Sequence, residues 1–193
     1  MPTLALLAFD ARLGQAVRQA SEPIMGQMRL AWWNEQLRLE ADRRERSDEL
    51  VAALDALAGM RGALHALVDG WELLLGETLD RPAVEAFVAA RAGAFVGLAR
   101  LLATPDSAAT VLAAGRCWAL ADLAAGLGEG GERAGVLALG AEEPHVPIRL
   151  SRALRPLAVL AGLGRASLAN GGAPLLRGRR AALRAIRLGL TGR

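Results

Sequence analysis

The sequence predicts an all-α fold, built as a single helical bundle over residues 1–193. Alanine and leucine dominate a chain that is 53% hydrophobic, 4% aromatic and free of tyrosine. Unbranched side chains lose little rotamer freedom in a helix, and few valines and isoleucines are present to form strands. Apolar residues also recur at spacings of three and four, the period of a helix with one buried face. A chain of this length buries about 70% of its unfolded surface and is expected to form one domain.

The first two helices are predicted over residues 4–19 and from about Pro23. Ser21 is the expected N-cap of the second helix, because a serine oxygen accepts a hydrogen bond from a free backbone N–H and proline is tolerated in the first turn. The second helix has a wide apolar arc, so we expect most of its circumference to be buried and Arg29 to pair with an internal acid. Residues 40–46 are predicted to be its solvated, charged end.

Six further helices are predicted from the same apolar period and from capping residues or prolines near their starts. Their predicted ranges are 48–58, 64–76, 80–103, 107–125, 147–161 and 175–190. Between two of them, residues 126–147 are rich in glycine and show no apolar period, which predicts a flexible loop. Cys117 is expected to be a small core side chain and not a nucleophile.

Charged residues interrupt the apolar runs before they reach the roughly 18 residues that span a bilayer, and no charged segment precedes the apolar start. We therefore expect no transmembrane helix, no signal peptide and a cytoplasmic protein. The chain has no lysine, which suggests a GC-rich bacterial genome.

The last predicted helix, over residues 175–190, is basic and amphipathic. After Glu143 the sequence contains ten arginines and no acidic residue. The two stripes of the helix are Arg177, Arg180, Arg184 and Arg187 on one side, and Leu176, Leu183, Ile186 and Leu190 on the other. Such a helix can close the bundle with its arginines in solvent, or lie on the inner face of an anionic membrane. No recognised nucleic-acid motif accompanies it, so a nucleic-acid partner is not expected.

Residues 21–37, SEPIMGQMRLAWWNEQL, combine a Ser-x-Pro start with the pattern Gly-x-x-Arg-Leu-x-Trp-Trp. This segment resembles the squalene/phytoene synthase family, in particular its divergent branch that includes a mitochondrial respiratory complex I assembly factor. The resemblance covers almost the whole chain and implies a shortened isoprenoid synthase fold. It implies that the positions facing a cavity or ligand are Phe9, Arg29, Trp32, Trp33, Asp69 and Trp118.

Catalytic members of that family hold magnesium against a prenyl diphosphate with two aspartate-rich boxes. The corresponding positions in this chain are Gly14, Gln15 and Arg18 for the first box and Gly126, Glu129 and Gly130 for the second. Only Glu129 among them carries the anionic oxygen that a hard cation prefers. Because the leaving diphosphate must be neutralised during the reaction, the resemblance implies that both metal sites and the conventional condensation have been lost.

We therefore expect a squalene/phytoene synthase-like protein without catalysis or cofactor, which binds a prenyl lipid or a partner protein of a respiratory complex near the membrane. The alternative is an active prenyltransferase of the phytoene or squalene synthase type, which would join prenyl diphosphates in isoprenoid biosynthesis and require magnesium. A third possibility is a structural protein that acts only through oligomerisation.

Overall fold

A computed structural model describes residues 2–45, 47–144, 147–176 and 178–191 of the protein. Nine α-helices and no strand occur in these residues, which confirms the predicted all-α bundle. The helices are α1 Pro2–Arg18, α2 Pro23–Arg38, α3 Glu49–Ala53, α4 Arg61–Glu72, α5 Arg81–Leu101, α6 Ala108–Gly126, α7 Gly131–Glu142, α8 Arg155–Ala169 and α9 Gly178–Thr191. Short 3-10 turns cover Ala41–Arg43, Leu54–Met60, Leu73–Leu75 and Arg152–Leu154.

Side-chain caps fix three of the helix starts that the sequence predicts. Asp48, Asp80 and Ser107 accept hydrogen bonds from backbone N–H groups of the following turn, at 2.8, 2.9 and 3.1 Å. These bonds satisfy donors that have no partner within the helix. At α2, however, the N-cap position is Glu22 and no side chain caps the helix. The predicted capping role of Ser21 is therefore wrong.

The two central helices are α5 and α6. Helix α5 packs along α4 on one side and along α6 on the other, and α6 packs along α8. Gly115 allows the close approach of α6, because a Cβ at this position would lie 2.8 Å from the Cα of Ala92 on α5. The core around these helices contains the fully buried rings of Phe9, Phe87 and Phe95.

Residues 40–45 of the predicted charged end do not extend α2, because Arg44 turns this part of the chain back onto the bundle, and Arg46 lies outside the described residues. The Arg44 side chain is buried, and it donates hydrogen bonds to the carbonyl of Leu39 at 3.1 Å and to Asp55 at 2.7 Å. Gln36 accepts a further bond from the backbone N–H of Glu45 at 2.9 Å. Arg44 and the backbone of Glu45 thus find partners inside the protein, whereas Asp42 and Arg43 are exposed, as predicted for a solvated stretch.

Residues 126–147 contain the helix α7 where the sequence predicts a flexible loop. Val136 and Leu139, three residues apart, are buried against the bundle. The prediction failed because the apolar period of this helix is short and many glycines lie around it in the sequence. The later predicted helix at 147–161 is also displaced, since α8 begins at Arg155 with Pro156 in its first turn.

Three helical segments have the length and composition of a membrane span. They are Glu49–Leu75, Arg81–Leu101 and Ala108–Gly126, each with a window of mean hydropathy 1.2 or more. The expectation that charged residues interrupt the apolar runs too early is therefore wrong for these segments. Within the bundle, between 39% and 50% of each window is buried.

Candidate functional site

A buried arginine lies at the centre of a polar cluster inside the apolar core. Arg91 of α5 is only 4% exposed. Its Nε and Nη2 atoms donate to the two carboxylate oxygens of Asp10 on α1, at 2.9 and 2.6 Å, and Nη1 donates to Asp122 on α6 at 2.7 Å. Such bidentate charged hydrogen bonds are among the strongest polar contacts in proteins. One guanidinium therefore joins α1, α5 and α6.

Aromatic rings enclose this guanidinium. The Cζ atom of Arg91 lies 3.8 Å from the ring centroid of Trp118 and 5.0 Å from that of Trp71. Trp71 also donates its indole N–H to Asp10 at 3.0 Å. Burial acts to lower the pKa of Arg91, but the charges and hydrogen bonds of Asp10 and Asp122 outweigh it and raise the pKa above its ordinary value. Arg91 is therefore held as a charged group inside the bundle.

A cavity of about 330 Å³ opens beside the cluster, between the ends of α1 and α6 and the α4–α5 connection. Trp71 and Asp122 belong to both the cluster and the cavity wall. Further apolar lining comes from Val17, Leu73, Leu74, Leu79, Phe87, Leu123 and Leu127. The volume lies at the lower end of the range found for small-molecule pockets. Arg18 and Gly126, one position from each predicted metal box, also line this cavity.

Arg18 lies over Trp71 at the mouth of the cavity, with Cζ 5.9 Å from the ring centroid. It forms no ion pair within the part of the chain that the structure describes. Gly14 allows this arrangement, since a Cβ there would lie 2.8 Å from the Trp71 ring and 2.9 Å from Nη1 of Arg18. Two further carboxylates, Glu77 and Glu132, line the cavity.

The residues present here do not fit a magnesium–diphosphate site. Both oxygens of Asp10 and one of Asp122 already accept hydrogen bonds from Arg91. Within residues 2–45, 47–144, 147–176 and 178–191, no group of three or more His, Cys, Asp or Glu side chains could hold a metal ion. Glu129 and Gly130 are exposed and do not line the cavity, and Gln15 lies in a different groove. That the protein needs no cofactor stays a prediction.

Two of the predicted cavity residues belong instead to the hydrophobic core. Phe9 is fully buried and packs edge-to-face on Trp33, with ring centroids 5.3 Å apart. Trp33 in turn meets Trp32 at 4.7 Å. Trp118 is the one residue of the predicted set that contacts Arg91.

Arg29 and Trp32 lie on the outer side of α2. Arg29 is exposed and pairs with no acid among the described residues, so its predicted internal ion pair is wrong. The reason is that α2 buries a narrower face than its composition predicts. Gly26, Leu30, Trp33, Gln36 and Leu37 face inward. Met25 and Met28 are exposed by 42% and 62% and line a shallow groove together with Arg29 and Trp32.

Asp69 does not face the cavity either. It is exposed on α4 and accepts a hydrogen bond from Asn34 of α2 at 3.1 Å. Asn34 also contacts Nδ1 of His65 at 2.8 Å. These three residues form a polar link between α2 and α4, which is a structural role.

The roles of Asp10, Arg91 and Asp122 were not predicted from the sequence. Each of them is a charged residue inside a helix whose neighbours are apolar. That pattern was the available signal, because a buried charge requires a partner of opposite sign. The pairing across 81 positions between Arg91 and Asp10 carries no local signature.

No protein-family model, curated protein or solved structure matches this chain. The resemblance to the squalene/phytoene synthase family therefore rests on the motifs quoted above.

Proposed function

We propose that the protein is a squalene/phytoene synthase-like bundle that has lost the metal-dependent reaction and binds a prenyl lipid in the cavity beside Arg91. One observation carries the proposal. Arg18 and Gly126 come from the two predicted metal-box positions and line the same apolar cavity, while the nearest aspartates are held by an arginine instead of facing a ligand.

The lining of the cavity favours an apolar chain with an uncharged head. Its leucines and aromatic rings can bury hydrocarbon at about 25 cal/mol for each Å² removed from water. Among the described residues that line the cavity, a diphosphate would meet one available cation, Arg18, and the carboxylates of Glu77, Glu132 and Asp122. Because like charges repel more strongly in a partly buried site than in water, a prenyl alcohol or quinone fits better than a prenyl diphosphate.

We propose a location at the inner face of the membrane, where such lipids reside. The three apolar helical segments support membrane association. Further support comes from the charge of the chain after Glu143, where arginines occur without any acidic residue.

Thermal unfolding with geranylgeraniol or geranylgeranyl diphosphate, each in magnesium or in EDTA, tests the proposal. An alcohol present at a hundred times its dissociation constant should stabilise the fold by about 2.7 kcal/mol. That corresponds to a rise in Tm of about 5–10 °C for a domain of this size, and EDTA should not change it.

A matched pair of glycine variants ties this shift to the cavity. Gly126 lines the cavity and Gly128 does not, and a Cβ at either position meets no atom within 4 Å. Gly126→Leu should abolish the shift, and Gly128→Leu should retain it. Equal shifts in both variants would place the lipid elsewhere.

Two other outcomes would favour the remaining functions. A shift that requires both diphosphate and magnesium, with turnover of the diphosphate, would support an active prenyltransferase. If no lipid changes Tm, the assembly-type function becomes the stronger proposal, and the exposed apolar side of α2 is the surface to test against respiratory-complex proteins.

A further inference from the structure

Helix α9 packs on α8 through one side only. Leu188 is 7% exposed and lies against Gly162 of α8. Successive residues of a helix are about 100° apart around its axis, so Leu183, Ile186 and Leu190 lie about 140–160° away from Leu188. These three residues therefore form an outer apolar row on the side that faces away from the bundle.

The outer apolar row is open to solvent. Leu183, Ile186 and Leu190 are exposed by 67%, 58% and 71%. Leu176, which precedes the helix, is 73% exposed. The sequence alone allows these residues to close the bundle, but in the structure Leu188 does so. A contiguous exposed apolar row of this kind marks a surface that a membrane or another molecule covers.

The charges around this row are positive. Arg179, Arg184 and Arg187 are exposed on α9, and the helix contains no acidic residue. Arg177 lies outside the described residues, and Arg180 lies within α9. Whatever covers the row must therefore be apolar and must also carry negative charge.

We propose that α9 docks the protein on an anionic lipid bilayer, with Leu183, Ile186 and Leu190 among the acyl chains and Arg179 and Arg187, which border this row, at the headgroup phosphates. Amphipathic basic helices bind such interfaces through the sum of buried apolar area and attraction to anionic lipid. A second copy of the chain fits less well, because pairing two α9 rows would bring their arginines together without an acid. A nucleic acid would leave the apolar row uncovered. This inference rests on α9 alone and does not depend on the cavity.

Flotation of the full chain with lipid vesicles tests the proposal. The wild type should float with vesicles of equal parts phosphatidylcholine and phosphatidylglycerol, and it should not float with pure phosphatidylcholine. Leu183→Ser with Leu190→Ser should weaken binding by at least about tenfold. Arg179→Gln with Arg187→Gln should weaken it by about 25-fold, since each arginine contributes about fivefold.

The matched control is Leu4→Ser with Leu112→Ser, which changes two leucines exposed by 61% and 39% on other helices. It should bind the anionic vesicles as the wild type does. Circular dichroism should show the same helicity for all variants, because the substituted α9 residues are exposed.

Several results would overturn the docking role of α9. The first is that the α9 leucine variant binds anionic vesicles as tightly as the wild type does. The second is that the wild type floats equally well with neutral and anionic vesicles, and the third is that it floats with neither. If the wild type formed a dimer and did not bind vesicles, and if only the leucine variant were monomeric, the outer row would be covered by a second copy of the chain. If the wild type and the leucine variant bound duplex DNA equally tightly, the partner of α9 would be a nucleic acid.

Discussion

Trp71 donates its indole N–H to the same Oδ1 atom of Asp10 that accepts a hydrogen bond from Arg91, so this carboxylate joins two helices to α1. Asp10→Asn keeps the shape of the side chain but removes its charge and one acceptor oxygen. We expect a loss of about 3 kcal/mol in the free energy of unfolding, the lower end for a broken buried pair, because Asp122 still neutralises Arg91.

Urea unfolding measures this loss, and Asp42→Asn is the control, since Asp42 is exposed in a surface turn. The control should change the free energy by no more than about 0.5 kcal/mol. Equal effects of the two substitutions would mean that the Asp10 contact contributes little to the fold.

Gly14→Ala should destabilise the protein by about 1–3 kcal/mol, the usual effect of an extra group in a packed site. The new Cβ would lie 2.8 Å from the Trp71 ring, which cannot turn aside without losing its hydrogen bond to Asp10. Gly93→Ala is the matched control within a helix, because a Cβ there meets no atom within 4 Å. It should stabilise by about 0.5–1 kcal/mol. If Gly14→Ala were also stabilising, the Trp71 ring would have to be free to move.

Cys117 should react with thiol reagents only when the protein unfolds. Its side chain is 8% exposed, and burial raises the pKa of its thiol. Because the thiolate is the reactive form, we expect labelling by a chromogenic disulfide to be at least about a hundredfold slower in the native protein than in denaturant. The chain has one cysteine, so absorbance reports this site alone. Native labelling as fast as that of the denatured chain would contradict the burial of Cys117.

His65 should make the protein less stable as the pH falls below about 6.5. Burial is the main cause that lowers the pKa of His65 from 6.5, so the unfolded chain takes up its proton at a higher pH than the folded one. Stability is then present above pH 6.5 and is lost as the pH falls through the lower, folded value. Urea unfolding of the wild type and His65→Gln at pH 7.5 and 5.0 checks this, and the wild type should lose more stability on acidification. Equal losses would assign the pH dependence to other groups.

Local signals in the sequence predicted most of the helices, and tertiary contacts decided where the predictions failed. Asp80 and Ser107 cap their helices because capping needs only neighbouring backbone. Arg44 gives no local sign that it will turn inward, since its partners Leu39 and Asp55 are brought near it only by the fold.

In the candidate site, too, local features could be predicted from the sequence and tertiary contacts could not. Arg18 and Gly126 could be assigned to two helix ends from motif positions alone, and both line the cavity. The neutralisation of Asp10 and Asp122 by Arg91 could not be predicted, because it depends on how α1, α5 and α6 are placed side by side. Arg29 and Trp32 were misplaced because composition does not reveal which side of α2 faces outward.

The asymmetric attachment of α9 has a consequence for cooperativity. The Arg91 cluster links α1, α4, α5 and α6, so amides in these helices should exchange hydrogen only when the whole unit opens. Helix α9 packs chiefly against α8 and contributes one buried leucine, Leu188. We therefore expect α9 to open at a much lower free energy than the cluster, so that its amides exchange hydrogen while the cavity keeps its shape.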